Sequence, residues 1–134
     1  DYQAISAEEL LETGRTFDIV LNMEVVEHVA DVPLFMNSCA RLVSPGGLLF
    51  SATLNRTLKS FAFAIIGAEY VLKWLPRGTH QWEKFVTPAE LSKAITGGGL
   101  EVCDTQGVAF NPLSDQWHAS SDIDVNYMML ARKS

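Results

Sequence analysis

Apolar runs of strand length alternate along this chain with stretches whose apolar residues recur at helical spacing. Ser6-Ala-Glu-Glu-Leu-Leu-Glu12 reads as a short helix, with Ser6 at the N-cap, glutamate at the third helical position and an end near Gly14. Phe17 to Leu21 is continuously apolar and predicts a buried strand. Val32 to Leu42 carries Leu34, Phe35, Cys39 and Leu42 at helical spacing and stops at Ser44-Pro-Gly-Gly47, a turn signal. Leu48 to Thr53 is the next buried strand. Strand, helix, turn and strand make a βαβ unit, so the spacing predicts a parallel sheet.

Asn55 to Gly78 is a long, mostly apolar excursion. Thr87-Pro-Ala-Glu-Leu-Ser-Lys-Ala-Ile95 opens another helix, with Thr87 as N-cap, Pro88 at the first position and Glu90 completing a capping box. Gly97-Gly98-Gly99 follows that helix and precedes a strand, the reverse of a nucleotide-binding loop, and reads as a helix cap. Leu100 to Val108 and Val125 to Ala131 are the last predicted strands, with Asn111 to Asp124 as a loop between them. There are no internal repeats and no low-complexity tract.

At 134 residues and 48% hydrophobic, the chain is long enough for one sizeable core. A formal charge of −6 argues against nucleic acid as the main partner, since phosphate binding wants a basic face. Cys39 and Cys103 have no metal or redox spacing and read as reduced, buried thiols of a cytoplasmic protein. The chain opens Asp1-Tyr2-Gln3 with no signal-peptide pattern and reads as a fragment.

The chemistry concentrates just past the Phe17 strand, where Asn22, Met23, Glu24, Glu27 and His28 follow in quick succession. In open α/β sheets, ligands sit beyond the carboxyl ends of parallel strands. Glu24, Glu27 and His28 fall at i, i+3 and i+4, on one face if a helix begins there.

The order of strand, Glu/His cluster, helix, Leu-Val-Ser-Pro-Gly-Gly47, strand and Thr53-Leu-Asn-Arg56 resembles the second half of a class I S-adenosylmethionine-dependent methyltransferase. Thr53 to Ser60, Gly67-Ala-Glu-Tyr70, Pro76-Arg-Gly-Thr-His80, Phe85 to Leu91 and Asp124-Val-Asn-Tyr-Met128 narrow it to the branch of ubiquinone-biosynthesis O-methyltransferases. The resemblance spans essentially the whole chain. It implies an α/β, Rossmann-like sheet, strands four to seven, in a single partial domain over residues 1–134, with a helical insertion at 55–80. The Gly-rich loop and the acidic residue that hold the cofactor in that family have no counterpart here, so the fragment alone is expected to be inactive.

The implied reaction is O-methylation of polyprenylated catechol and demethylubiquinol by S-adenosylmethionine. A catechol hydroxyl, with a pKa near that of tyrosine, about 10, needs a base or a cation to remove its proton. Three readings stay open. Glu24, Glu27 and His28 could hold a divalent ion that grips both oxygens; relatives are thought to use Mg²⁺, while an imidazole ligand suits Zn²⁺, Mn²⁺ or Fe²⁺ as well or better. His28, with Glu24 beside it, could act as a metal-free base. Or the three are a solvated first helical turn, its glutamates favoured by the helix dipole. The resemblance places Met23 against the cofactor, with core packing as its alternative, and puts Ser6 and Ala7 near adenine. His80 could face the acceptor from a lid or be an ordinary loop residue, and His118 reads as surface.

Arg56 to Arg77 holds Arg56, Lys59, Lys73 and Arg77, four of the ten basic residues, around Phe61 to Ala68, Tyr70 to Leu72 and Trp74-Leu75, with Glu69 as its one acid. It is too short and too interrupted to span a bilayer, which needs about 20 apolar residues. It could lie in an anionic membrane interface or serve as a lid. The expected location is cytoplasmic and peripheral to the inner membrane, or the matrix side of a mitochondrion. Competing functions are another small-molecule methyltransferase or a non-catalytic lipid-binding module. The Phe17 strand is expected to leave an exposed apolar edge and to promote self-association.

Overall fold

The computed structural model describes residues 2–62, 81–111 and 113–134. Among the described residues, five strands form one mixed sheet in the order β1-β2-β5-β3-β4: β1 Phe17–Met23, β2 Val43–Leu54, β3 Leu100–Asn111, β4 Gln116–Ser120 and β5 Asn126–Lys133. β1 and β2 run parallel and are joined by α2 Val32–Leu42, which is the predicted βαβ unit. The rest departs from an all-parallel sheet. β5 is antiparallel to both β2 and β3, and β3 is antiparallel to β4. The expected loop from Asn111 to Asp124 thus contains a strand, and its short connection to β3 allows only an antiparallel neighbour.

Ser44 to Gly47 also differs from a simple turn. Val43 already pairs with Phe17, and the next pair is Ile19 with Leu48, so the residues between them form a bulge inside β2. Gly46 takes φ +79°, and a Cβ on Gly47 would stand 2.8 Å from the Asp18 carbonyl oxygen. At the other end of the sheet, Gly107 of β3 lies so close to the backbone of Asp122 that a Cβ there would overlap its carbonyl.

Local signals set the helices. In α1 Ala7–Glu12, Ser6 Oγ accepts from the Glu9 N–H at 3.1 Å and Glu9 accepts from the Ser6 N–H at 2.7 Å, the reciprocal cap predicted. Asp31 caps α2 by accepting from the Leu34 N–H at 2.9 Å. Thr87 and Glu90 cap α4 Pro88–Gly97 in the same reciprocal way, and the glycines end it. A one-turn helix, α3 Leu58–Ser60, is capped by Thr57.

α2 and α4 cover one face of the sheet. Leu49, Tyr127, Met129 and Ala131 pack there with Met36, Cys39, Leu91 and Ile95, all buried. The opposite face of β1 is open, with Ile19, Leu21 and Met23 exposed. The expectation of a fully buried strand holds on one side only, because β1 is the end strand of the sheet. Cys39 is buried, and burial pushes its thiol up to about 12; Cys103, expected to be buried too, is exposed. Among the described residues, no helix is long and apolar enough to cross a membrane.

Candidate functional site

β1 delivers its last residues at the carboxyl end of the parallel pair. The Glu24 N–H donates to the Ala52 carbonyl at 2.8 Å, which carries the β1–β2 pairing one residue past Met23. Glu24 then takes φ +55°, a left-handed conformation uncommon for a residue with a side chain. Beyond it the chain makes a single 3₁₀ turn, Val26–His28, and Val29 is already extended. No α-helix begins at Glu24, so the one-face spacing does not apply.

A 3₁₀ turn has three residues per turn, which sends neighbouring side chains in well-separated directions. Glu27 points inward at 3% exposure, and one of its carboxyl oxygens accepts from Thr53 Oγ1 at 2.7 Å. Glu24 and His28 are exposed. The three side chains are therefore not brought together, and among the described residues no group of three His, Cys, Asp or Glu is placed to hold a metal ion. Glu27 is also not part of a solvated turn. Its carboxyl braces the 3₁₀ turn against the end of β2.

Met23 and Glu24 line a cleft of about 230 Å³ at the carboxyl ends of β1 and β2, together with Ala52, Thr53, Met128 and Trp117. Beneath it, Asn22 is turned into the core, where its amide donates to Ser51 Oγ at 2.8 Å while its Oδ1 has no partner among the described residues. Tyr127, also buried, donates its hydroxyl to the Val86 carbonyl at 2.7 Å. Burial, followed by the charges of Glu90 and Glu27, pushes that phenol well above its ordinary value. A larger cleft of about 800 Å³ opens between the start of α2 and α4. None of Met23, Glu24 and His28 lines it, and its arginine, Arg56, is already held by Glu90 at 2.6 Å and by the Phe85 carbonyl at 3.1 Å. Burial works against ionisation of Glu90, but the Thr87 amide, Arg56 and the Thr87 hydroxyl outweigh it and hold the carboxyl below its usual range.

Ser6 has its hydroxyl committed to the α1 cap, and Ala7 is the first residue of that helix. His118 is exposed, as its surface reading expects, though on β4 rather than in a loop. Lys59 is ion-paired to Asp122 and, at 3.7 Å, to Asp124, so both described basic residues of the 55–80 segment, Arg56 and Lys59, have acidic partners. Lys73, Arg77, Glu69, His80 and most of the expected helical insertion lie outside the described residues. Two residues of the site had no role from sequence: Thr53, whose hydroxyl meets Glu27, and Trp117, brought to the cleft by β4. Only the strand register could have revealed either.

The sequence matches a family model described as a methyltransferase domain over residues 2–105. It is 64% identical over 134 residues to a ubiquinone biosynthesis O-methyltransferase of Rhizobium leguminosarum bv. trifolii, covering 100% of this chain and 53% of that protein. To the Brucella anthropi protein of the same name it is 62% identical over 133 residues, covering 99% of this chain and 54% of the relative. The chain thus spans about half the length of the curated relatives it matches. Among solved structures, trans-methyltransferase CalH in complex with SAH superposes with a TM-score of 0.64 at 20% identity, covering 100% of this chain and 36% of that one. An S-adenosylmethionine-dependent methyltransferase of Thermotoga maritima, a possible histamine N-methyltransferase, gives 0.61 at 16% identity, covering 90% and 57%. Sequence match and sheet topology agree over most of the chain, which belongs to the methyltransferase-domain family.

Proposed function

We propose that this chain forms the acceptor side of an O-methyltransferase that methylates polyprenylated catechol and demethylubiquinol intermediates of ubiquinone biosynthesis, with S-adenosylmethionine as donor. The observation that carries this reading is identity of 60–65% along essentially its whole length to proteins of that name. The donor, when bound, supplies an electrophilic methyl group on a sulfonium. Met23, at the end of β1 and about half exposed, stands where the cleft meets the donor and fits a side chain lying against it. His28 removes the proton from the acceptor hydroxyl, and Glu24, on the cleft wall, accepts a hydrogen bond from the ring's second hydroxyl. Holding the oxygen in line with the methyl carbon does the rest.

The donor set does not fit a divalent ion, Mg²⁺ or Zn²⁺, held by Glu24, Glu27 and His28 together, because Glu27 is buried and engaged by Thr53. The reading extends to place: a polyprenyl acceptor is confined to lipid, which favours a protein peripheral to an anionic membrane, on the cytoplasmic side of a bacterial inner membrane or the matrix side of a mitochondrion. It also extends to self-association of the isolated chain through β1, the end strand, whose outer face is apolar.

The test is methyl transfer from S-adenosylmethionine to a short-chain catechol by the intact protein, with and without chelator, comparing wild type with His28→Ala and Glu24→Gln. Wild-type turnover is expected, with a loss on the order of a hundredfold or more in His28→Ala and no effect of chelator. Absence of transfer to any catechol rejects the reading; loss of turnover on chelation rejects its metal-free form.

A further inference from the structure

One wall of the cleft comes from a part of the fold that the proton-transfer chemistry does not use. In the β3–β4 hairpin, Phe110 pairs directly with Trp117, and their ring centroids are 5.2 Å apart at a 46° tilt. Directly opposed residues of an antiparallel pair project from the same face of a sheet. Phe110 thus props the indole on the face that no described helix covers, while the indole itself remains 61% exposed. The next strands continue that surface, since Met128 pairs with Ala52 and Ala52 with Met23. The cleft is therefore a thioether and indole surface, with the Glu24 carboxyl as its acidic group.

Its size selects among ligands. A cavity of about 150 Å³ suffices for a benzene ring, whereas drug-sized ligands occupy roughly 300–1,000 Å³. At about 230 Å³ the cleft has room for one substituted ring. Aromatic rings and methionine sulfur both favour contact with another ring. A carboxylate on the wall favours a ring that carries hydroxyl donors.

We propose that this cleft is the subsite for the acceptor's dihydroxy-aromatic ring and that Trp117 is its specificity-determining platform, the ring lying against the indole with a hydroxyl directed to Glu24. This rests on the methyl-transfer reading above and adds the surface that recognises the acceptor. Because Trp117 is mostly exposed and sits on an edge strand, its truncation leaves the core untouched.

The experiment measures methyl transfer to 4-methylcatechol by the intact protein as a function of catechol concentration, with S-adenosylmethionine binding titrated separately. Trp117→Ala is expected to raise the catechol KM about tenfold, and Trp117→Phe to recover most of that loss. The dissociation constant for S-adenosylmethionine is expected to change by less than about twofold, since a uniform loss of acceptor binding appears in the acceptor's KM. An unchanged catechol KM in Trp117→Ala overturns the subsite. So does a loss confined to S-adenosylmethionine, which would assign the cleft to the donor. If the alanine variant is misfolded by circular dichroism, Trp117→Leu, which keeps apolar bulk without the ring face, must raise KM by about threefold or more for the platform to stand. A wild type that methylates no catechol rejects the functional reading and the subsite together, whereas normal wild-type turnover with an indifferent Trp117 rejects the subsite alone.

Discussion

The covered face of β2 and β5 and the open face of β1 are in opposite states. Toward α2 and α4, Leu49, Tyr127, Met129 and Ala131 are 3% exposed or less; on the far side of β1, Ile19, Leu21 and Met23 are 58%, 66% and 46% exposed. A sheet with one face meant for water alternates apolar and polar residues, while strands apolar on both faces belong to sheets covered on both. The difference separates two tasks. Stability comes from the covered face, where every large side chain has packing partners. The open face carries at its carboxyl end the cleft where Met23, Met128 and Trp117 meet, the proposed acceptor subsite.

The strongest challenge to that division is Leu91→Ala in α4, a fully buried side chain. Urea denaturation is expected to show a loss of about 2–5 kcal/mol. A loss below about 1 kcal/mol would mean that the helical layer is not the stabilising one. Thr53→Val comes next. It removes the hydroxyl that meets the buried Glu27 carboxyl and is expected to cost about 1–3 kcal/mol, with Thr53→Ser regaining most of it.

Tyr127→Phe is expected to cost about 1 kcal/mol, and it also changes the pH profile. The buried phenol has its pKa raised above the ordinary 10.0. Its contribution is therefore complete below about pH 10 and declines above it, because the unfolded chain ionises while the folded one still holds the proton. Wild-type stability should fall on the alkaline side with a slope that the Phe variant lacks. The smallest effect is expected on the open face. Leu21→Thr should change stability by no more than about 0.5 kcal/mol either way, and sedimentation velocity should show weaker self-association of the chain. A large loss of stability in Leu21→Thr would contradict the comparison.

The helices were legible because their signals are local. Ser6 with Glu9 and Thr87 with Glu90 are reciprocal caps within four residues, and α2 was bounded by its own periodicity and the Ser-Pro-Gly-Gly stretch. β4 was not legible. Gln116-Trp-His-Ala-Ser120 does alternate polar and apolar residues, but over only five positions among polar neighbours, and it is a strand because Phe110 and its neighbours supply the ladder. The site divided in the same way. Its location past β1 followed from the apolar run and the polar cluster after it. The separation of Glu27 from Glu24 and His28 did not, because it depends on a left-handed backbone at Glu24 and a 3₁₀ turn that no neighbouring residue signals.

Gly107 gives any test of the proposed acceptor subsite a fixed point. Its α-carbon is packed against the Asp122 backbone, and a Cβ there would also lie 2.8 Å from the Ser120 carbonyl oxygen, so even alanine would wedge the return loop off β3. Position 117, on the same hairpin, is a solvent-facing knob open to a wide menu of side chains. A library aimed at new acceptors should randomise the latter and leave the former alone, since variants at 107 would report a displaced scaffold in place of an altered preference.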